Sequence, residues 1–147
     1  MISTIIDQKI KEAMLAKDPA KLRGLRAIKA ALLLARTEKG SEEINEEAEL
    51  KILQRLIKQR KESADIYKQQ GREDLSVIEE EEIEVISQFM PKQLDREEVA
   101  AMIADLIKES GATSVKDMGK VMGLANKELA GKADGKLVAE LVKSQLA

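Results

Sequence analysis

The chain has 147 residues, 44% hydrophobic and 35% charged, with a net charge of -2 from 25 basic and 27 acidic side chains. That allows one large domain or two small ones, able to bury a core and stay in solution. Cysteine and histidine are absent and the aromatics are one Tyr and one Phe, which excludes disulfides, Cys/His zinc sites, Ser-His or Cys-His nucleophile pairs, and a stacking platform for single-stranded RNA.

The opening MISTIIDQKIKEAM has no apolar run long enough for a signal peptide or a membrane span, and the longest apolar stretch is Ala30 to Ala35. The expectation is a soluble, cytoplasmic protein with no membrane partner. Alanine, leucine, lysine and glutamate dominate, with two prolines and eight glycines. Apolar residues recur at steps of three and four, with no strand-type alternation and no repeat. The predicted fold is therefore all-α.

In chain order, Ile2, Ile6, Ile10, Ala13 and Met14 mark a first helix capped by Ser3 or Thr4. Asp18-Pro19 restarts the chain, Asp as cap and Pro in the first turn. The second helix buries Leu22, Leu25, Ile28, Leu32 and Leu33 and ends near Lys39-Gly40. Asn45 caps a long third helix running to Gly71. One apolar seam of this helix holds Leu50, Leu53, Ile57, Ala64 and Tyr67, interrupted by Arg60, and a second holds Ile52, Leu56 and Ile66. After a turn at Arg72-Glu73-Asp74, a fourth helix over about 75–88 buries Ile78, Val85, Ile86 and Phe89.

Pro91 is the clearest boundary, because a helix cannot pass through it without losing a hydrogen bond. Asp95 caps a fifth helix (Val99, Met102, Ile103, Leu106, Ile107) that Gly111 stops. Ser114 caps a sixth (Val115, Met118, Met122, Ala125, Leu129) that Gly131 stops, and Asp134 caps a seventh (Leu137, Val138, Leu141, Val142). The prediction is two helical domains, residues 1–90 with about four helices and residues 91–147 with three.

Three clusters are candidates for chemistry. The acidic run Glu79 to Glu82, with Glu84, has the oxygen ligands for Mg²⁺. Successive residues point all round a helix, however, and acidic groups early in a helix offset its dipole, so a solvated face is the better reading. Lys51, Arg55 and Lys58, with Arg26, Lys29 and Arg36, make a basic stripe that could bind phosphate, but ordinary helix ion pairs with Glu47, Glu62 or Asp65 are the better reading for most of it. The sixth helix is more specific. At ~100° per residue Lys116, Lys120, Gly123 and Lys127 share a narrow arc, opposite Met118, Met122, Ala125 and Leu129. An interior glycine costs about 1 kcal/mol against alanine, so Gly123 calls for the close approach of a backbone or a phosphate, and Gly119 adds to this, with tight helix contact as its bland alternative. The loop Gly131-Lys132-Ala133-Asp134-Gly135-Lys136 then ends at a helix N-terminus, which attracts anions. Its bland reading is a turn with Gly131 and Asp134 as caps. From Lys116 onward six basic residues stand against four acidic ones. No P-loop, GxSxG or dinucleotide-binding pattern is present, so no catalytic residue, metal or cofactor is expected.

Asp117-Met118-Gly119-Lys120-Val121-Met122-Gly123, followed by Gly131-Lys132-Ala133-Asp134-Gly135-Lys136-Leu137-Val138, resembles the C-terminal signature of the YqeY family. Ala13-Met14, Lys17-Asp18, Leu25-Arg26, Lys58-Gln59-Arg60-Lys61-Glu62-Ser63 and Gly71-Arg72-Glu73-Asp74-Leu75 match in order, and Phe89-Met90-Pro91 stands where members usually carry Tyr-Leu-Pro. The resemblance implies a larger N-terminal and a three-helix C-terminal domain, and kinship with the tail of the B subunit of the glutamine-dependent tRNA amidotransferase. Members often carry a carbon–nitrogen ligase label with glutamine as amide donor. The parts that activate the carboxylate and release ammonia are absent here, so catalysis by this chain alone is not expected. The resemblance implies instead that Lys120, Lys132, Lys136 and the backbone around Gly131 meet tRNA. Members commonly have Met-Pro where this chain has Asn126-Lys127, so Lys127 rests on its helix position and not on the family's pattern, while Lys116 and Gly123 complete the same strip. The expected partner is tRNA, bound weakly and salt-sensitively, or, alternatively, a protein of the aminoacyl-tRNA machinery docked on an exposed seam of the third helix. DNA is not expected.

Overall fold

The structure is a computed structural model describing residues 1–38, 40 and 43–147. Among these residues there are seven α-helices and no strand. They fall into two compact units, Met1–Met90 and Pro91–Ala147. No helix among the described residues is long and apolar enough to cross a membrane.

The first unit holds α1 (Ile2–Leu15), α2 (Pro19–Glu38), α3 (Glu46–Gln69) and α4 (Glu73–Ser87). Its core gathers Ile2, Ile6, Ala13, Leu25, Ile28, Leu32, Ile44, Leu53, Val85 and Ile86. Asp18 starts α2 as the sequence predicts, its carboxylate accepting from the Lys21 amide at 3.1 Å. Asn45 starts α3, its side chain accepting from the Ala48 amide at 2.8 Å. The expected end of α2 at Lys39-Gly40 lies partly outside the described residues. The helix runs to Glu38, and Gly40 has φ 69°.

The start of α1 differs from expectation. Neither Ser3 nor Thr4 caps it. The carboxylate of Glu49, wholly buried on α3, accepts from the Ile2 and Ser3 amides at 2.9 Å each. A buried anion at the positive end of a helix answers both the dipole and the free amides. Leu33 and Ile78, expected in the core, are 52% and 40% exposed, and Met14, the last of the apolar positions that mark the first helix, is 56% exposed. The helices turn their middle registers inward, and these residues lie at the margins of the apolar stripes.

Helix α4 begins at Glu73, so the expected turn at Arg72-Glu73-Asp74 is largely its first turn. The glutamate run is a solvated face only in part: Glu80 and Glu81 stay over two-fifths exposed, yet three of its members pair with neighbouring helices. Glu81 pairs with Arg23 of α2 at 2.7 Å, Glu80 with Lys68 of α3 at 2.5 Å, and Glu82 with Arg60 of α3 at 3.8 Å. Because the run does point all round the helix, it binds two neighbours at once. Gly24 of α2 lies flush against Val85 of α4, where a Cβ would come within 2.7 Å of the valine.

The second unit holds α5 (Arg96–Ser110), a 3-10 turn (Val115–Asp117), α6 (Met118–Glu128) and α7 (Gly135–Leu146). Val99, Ile103, Leu106, Val121, Ala125, Leu129, Val138, Leu141, Val142 and Leu146 meet in its core. The Asp95 carboxylate caps α5 through the Glu98 amide at 2.8 Å, and Gly111 ends it with φ 72°. These caps fix where each helix stops and so where the loops between them emerge.

Candidate functional site

Helix α6 splits as its periodicity requires. Val121, Ala125 and Leu129 are buried, Met118 and Met122 pack against the same core half-buried, and Lys120, Gly123 and Lys127 are exposed. Lys116 is displaced from the predicted arc. It sits on the 3-10 turn before α6, where each residue advances further round the axis than in an α-helix. It is nevertheless exposed at the same end of the strip.

Gly119 and Gly123 are exposed too. A Cβ built on either meets nothing within 4 Å. Among the described residues the tight helix contact that is the bland alternative for Gly119 is therefore absent, and no packing within them explains either glycine. Neither takes a positive φ. The α6 backbone is bare along this strip, within reach of anything that approaches.

Lys120 is engaged within the unit. Its ammonium donates to the Ser110 carbonyl at the end of α5, 3.0 Å away, where the carbonyl end of a helix welcomes a cation. Asp117 stands near it. The amides of Thr113 and Ser114 donate to the Asp117 carboxylate at 2.9 and 3.3 Å. These bonds hold Asp117 below its ordinary value, with a smaller contribution from the Lys120 charge. Lys120 thus has one ammonium proton committed and two free. Lys116, Lys127, Lys132 and Lys136 make no ion pair among the described residues.

The loop from Gly131 to Lys136 is built more tightly than its sequence suggests. Gly131 is buried with φ 72°, a backbone conformation that needs glycine. Its carbonyl accepts from the Gln93 carboxamide at 2.6 Å, and the Lys132 carbonyl accepts from the Leu94 amide at 2.9 Å. The backbone around Gly131 is therefore turned inward, and its part in any site is to aim Lys132 and Lys136. The N-terminus of α7 is no open anion seat either. The Asp134 carboxylate already accepts from the Lys136 amide at 3.1 Å. Lys132 is half-buried and Lys136 exposed. Gln93 was not among the sequence-predicted residues. Only its place two residues after Pro91 and the turn chemistry at Gly131 could have drawn notice to it.

Elsewhere the chemistry is sparse. Among the described residues no three Asp or Glu side chains converge as a metal site. The basic stripe on α2 and α3 is mixed. Lys29 pairs with Asp7 at 2.6 Å and Lys51 with Glu47 at 3.3 Å, while Arg26, Arg36, Arg55 and Lys58 make no ion pair among the described residues. A cleft of about 230 Å³ in the first unit is lined by Ile6, Asp7, Lys29, Leu32, Arg36 and Ile44 among others, so it takes in Lys29 and Arg36 of the basic stripe but no residue of the lysine strip on α6 or of the 131–136 loop. Of the second seam on α3, Ile52 and Leu56 pack against the core and Ile66 alone is exposed.

The chain is similar to a curated protein of Vanderwaltozyma polyspora named altered inheritance of mitochondria protein 41, mitochondrial, with 29% identity over 116 residues. The alignment covers 74% of this chain and 62% of that protein, so the chain spans less than two thirds of this relative's length. The family model for Yqey-like proteins matches residues 3–146. With nearly every residue matched, the chain belongs to the YqeY family.

Proposed function

We propose that residues 91–147 form an RNA-backbone-binding module, with tRNA as its partner, that carries no catalytic group of its own. The observation that carries this reading is the exposed face of α6. Two glycines there face open space beside Lys120 and Lys127, and the fold supplies no reason for either. Alanine at Gly123 would favour the helix by about 1 kcal/mol, so a ligand that needs the bare backbone is the remaining physical account. A ribose-phosphate chain fits, since lysines at its flanks neutralise phosphates and no aromatic is at hand to read bases. Lys116, Lys120, Lys127, Lys132 and Lys136 supply the charge, Gly123 the close approach, and Gly131 the bend that sets the loop. That residues 1–90 and 91–147 are separate domains, and that the protein works in the cytoplasm, belong to the same proposal.

The test is a gel shift with tRNA at low and moderate ionic strength. The wild-type chain binds at low salt and loses tRNA as salt rises. Changing Lys120, Lys132 and Lys136 to Glu abolishes the shift. Binding that survives the triple change removes the assigned site, and a wild type that never binds removes the proposal. A glutaminase assay of the pure protein is expected to show no turnover. Because Ile66 is the only exposed member of the α3 seams, an apolar protein partner docked there has little surface to hold.

A further inference from the structure

Resting on the RNA reading above, we propose that Gln93 is the positioning residue of the lysine loop. Its carboxamide nitrogen donates to the Gly131 carbonyl at 2.6 Å and to the Pro91 carbonyl at 3.0 Å. One residue along each segment, the Leu94 amide donates to the Lys132 carbonyl at 2.9 Å. Residues 93–94 and 131–132 are thus joined by two successive rungs. Pro91 stiffens the first segment by fixing its own φ and restricting Met90. The second segment has glycine on both sides of Lys132-Ala133-Asp134, at Gly131 and Gly135. Glycines lose more freedom on ordering than any other residue, so every anchor on this loop counts: the Lys132 amide on the Leu129 carbonyl at 2.9 Å and buried Ala133 hold it from within, and the rungs from residues 93 and 94 hold it from outside.

The chemistry at position 93 is specific. Two carbonyl oxygens face the same side-chain atom, and a primary amide offers two N–H groups to serve both. A carboxylate would set oxygen against oxygen, and an apolar side chain would leave the partly buried Gly131 carbonyl unpaired. Gln93 itself touches no ligand in this account. It removes in advance the ordering that Lys132 and Lys136 would otherwise undergo on meeting phosphates, and preorganisation of that kind raises affinity without adding a contact.

The experiment compares wild type, Gln93→Met and Lys132→Met in the full chain, using unfractionated tRNA as the probe. Binding is titrated across salt, and backbone hydrogen exchange is followed over residues 131–136. Gln93→Met keeps the side-chain length and removes the carboxamide, and with it both N–H donors that serve the two carbonyls. It is expected to retain its helix content, bind about threefold to tenfold more weakly, keep the wild-type salt slope, and exchange faster in the loop. Lys132→Met, which removes a phosphate contact, lowers the slope by about 1. A residue that served stability alone would leave the tRNA affinity of the folded chain at the wild-type value. Wild-type affinity in Gln93→Met, or unchanged loop exchange, overturns the role given to Gln93. Failure of the parent chain to bind tRNA overturns the RNA reading itself, and the parent titration tells the two failures apart.

Discussion

Gly24 and Gly123 are both helical glycines, and the structure gives them opposite explanations. At Gly24 a Cβ would lie 2.7 Å from two atoms of Val85, so α2 and α4 pack through the missing side chain. Gly24→Ala is expected to cost about 1–3 kcal/mol of stability by overpacking. At Gly123 nothing lies within 4 Å. Gly123→Ala is expected to stabilise the protein by up to about 1 kcal/mol and at the same time weaken tRNA binding. Thermal unfolding of the two variants, with a tRNA titration of the second, checks both. A stabilised Gly123→Ala chain with full affinity would take Gly123 out of the site. The glycine pattern was visible in the residues alone. Which glycine meets a neighbour and which meets solvent depends on how helices pack, and no sequence spacing reports that.

Single carboxylates decide how five of the helical elements begin: Glu49 at α1, Asp18 at α2, Asp95 at α5, Asp117 at the 3-10 turn and Asp134 at α7. Glu49 reaches from α3 to the first amides of α1, 47 residues away in sequence for Ile2. Local rules look for a cap within the neighbouring residues, which is why Ser3 and Thr4 were the expected choices and Glu49 was not. Glu49→Ala leaves the buried Ile2 amide unpaired and is expected to cost about 2 kcal/mol in chemical denaturation, with the loss centred on α1. Where a cap is local, as with Asp18, Asn45 and Asp95, the sequence located it within a residue. Asp117 is local too and carries a pH signature. The Thr113 and Ser114 amides lower its folded value from the ordinary 3.8. A depressed carboxylate stabilises the fold above its unfolded value, and that contribution disappears as pH falls through the folded one. An NMR titration of the Asp117 carboxyl is expected to give a midpoint below 3.8, and Asp117→Asn to lose the acid-dependent part of stability contributed at this turn. A midpoint at or above 3.8 would contradict the capping geometry.

For the molecule as a whole, the all-α class was legible because helix formers, apolar spacing and end caps agree along nearly the entire chain. The division near Pro91 coincides with the change from one core to the other, Met1–Met90 and Pro91–Ala147. The candidate site was legible only in part. Lys120, Gly123 and Lys127 share an exposed face as helix geometry requires, while the 3-10 turn carries Lys116 off the predicted arc and the clamp from Gln93 and Leu94 turns the Gly131 backbone inward. Those departures arise from contacts between segments far apart in sequence. Net charge gives no help, since -2 is nearly neutral and any attraction to nucleic acid must be local. The most direct check is a tRNA titration of the full chain at several salt concentrations. With about three to five phosphate contacts the logarithm of the binding constant should fall against the logarithm of salt with a slope of roughly -2 to -4.5. A slope near zero, or no binding at the lowest salt, would contradict the lysine strip as an RNA-binding surface.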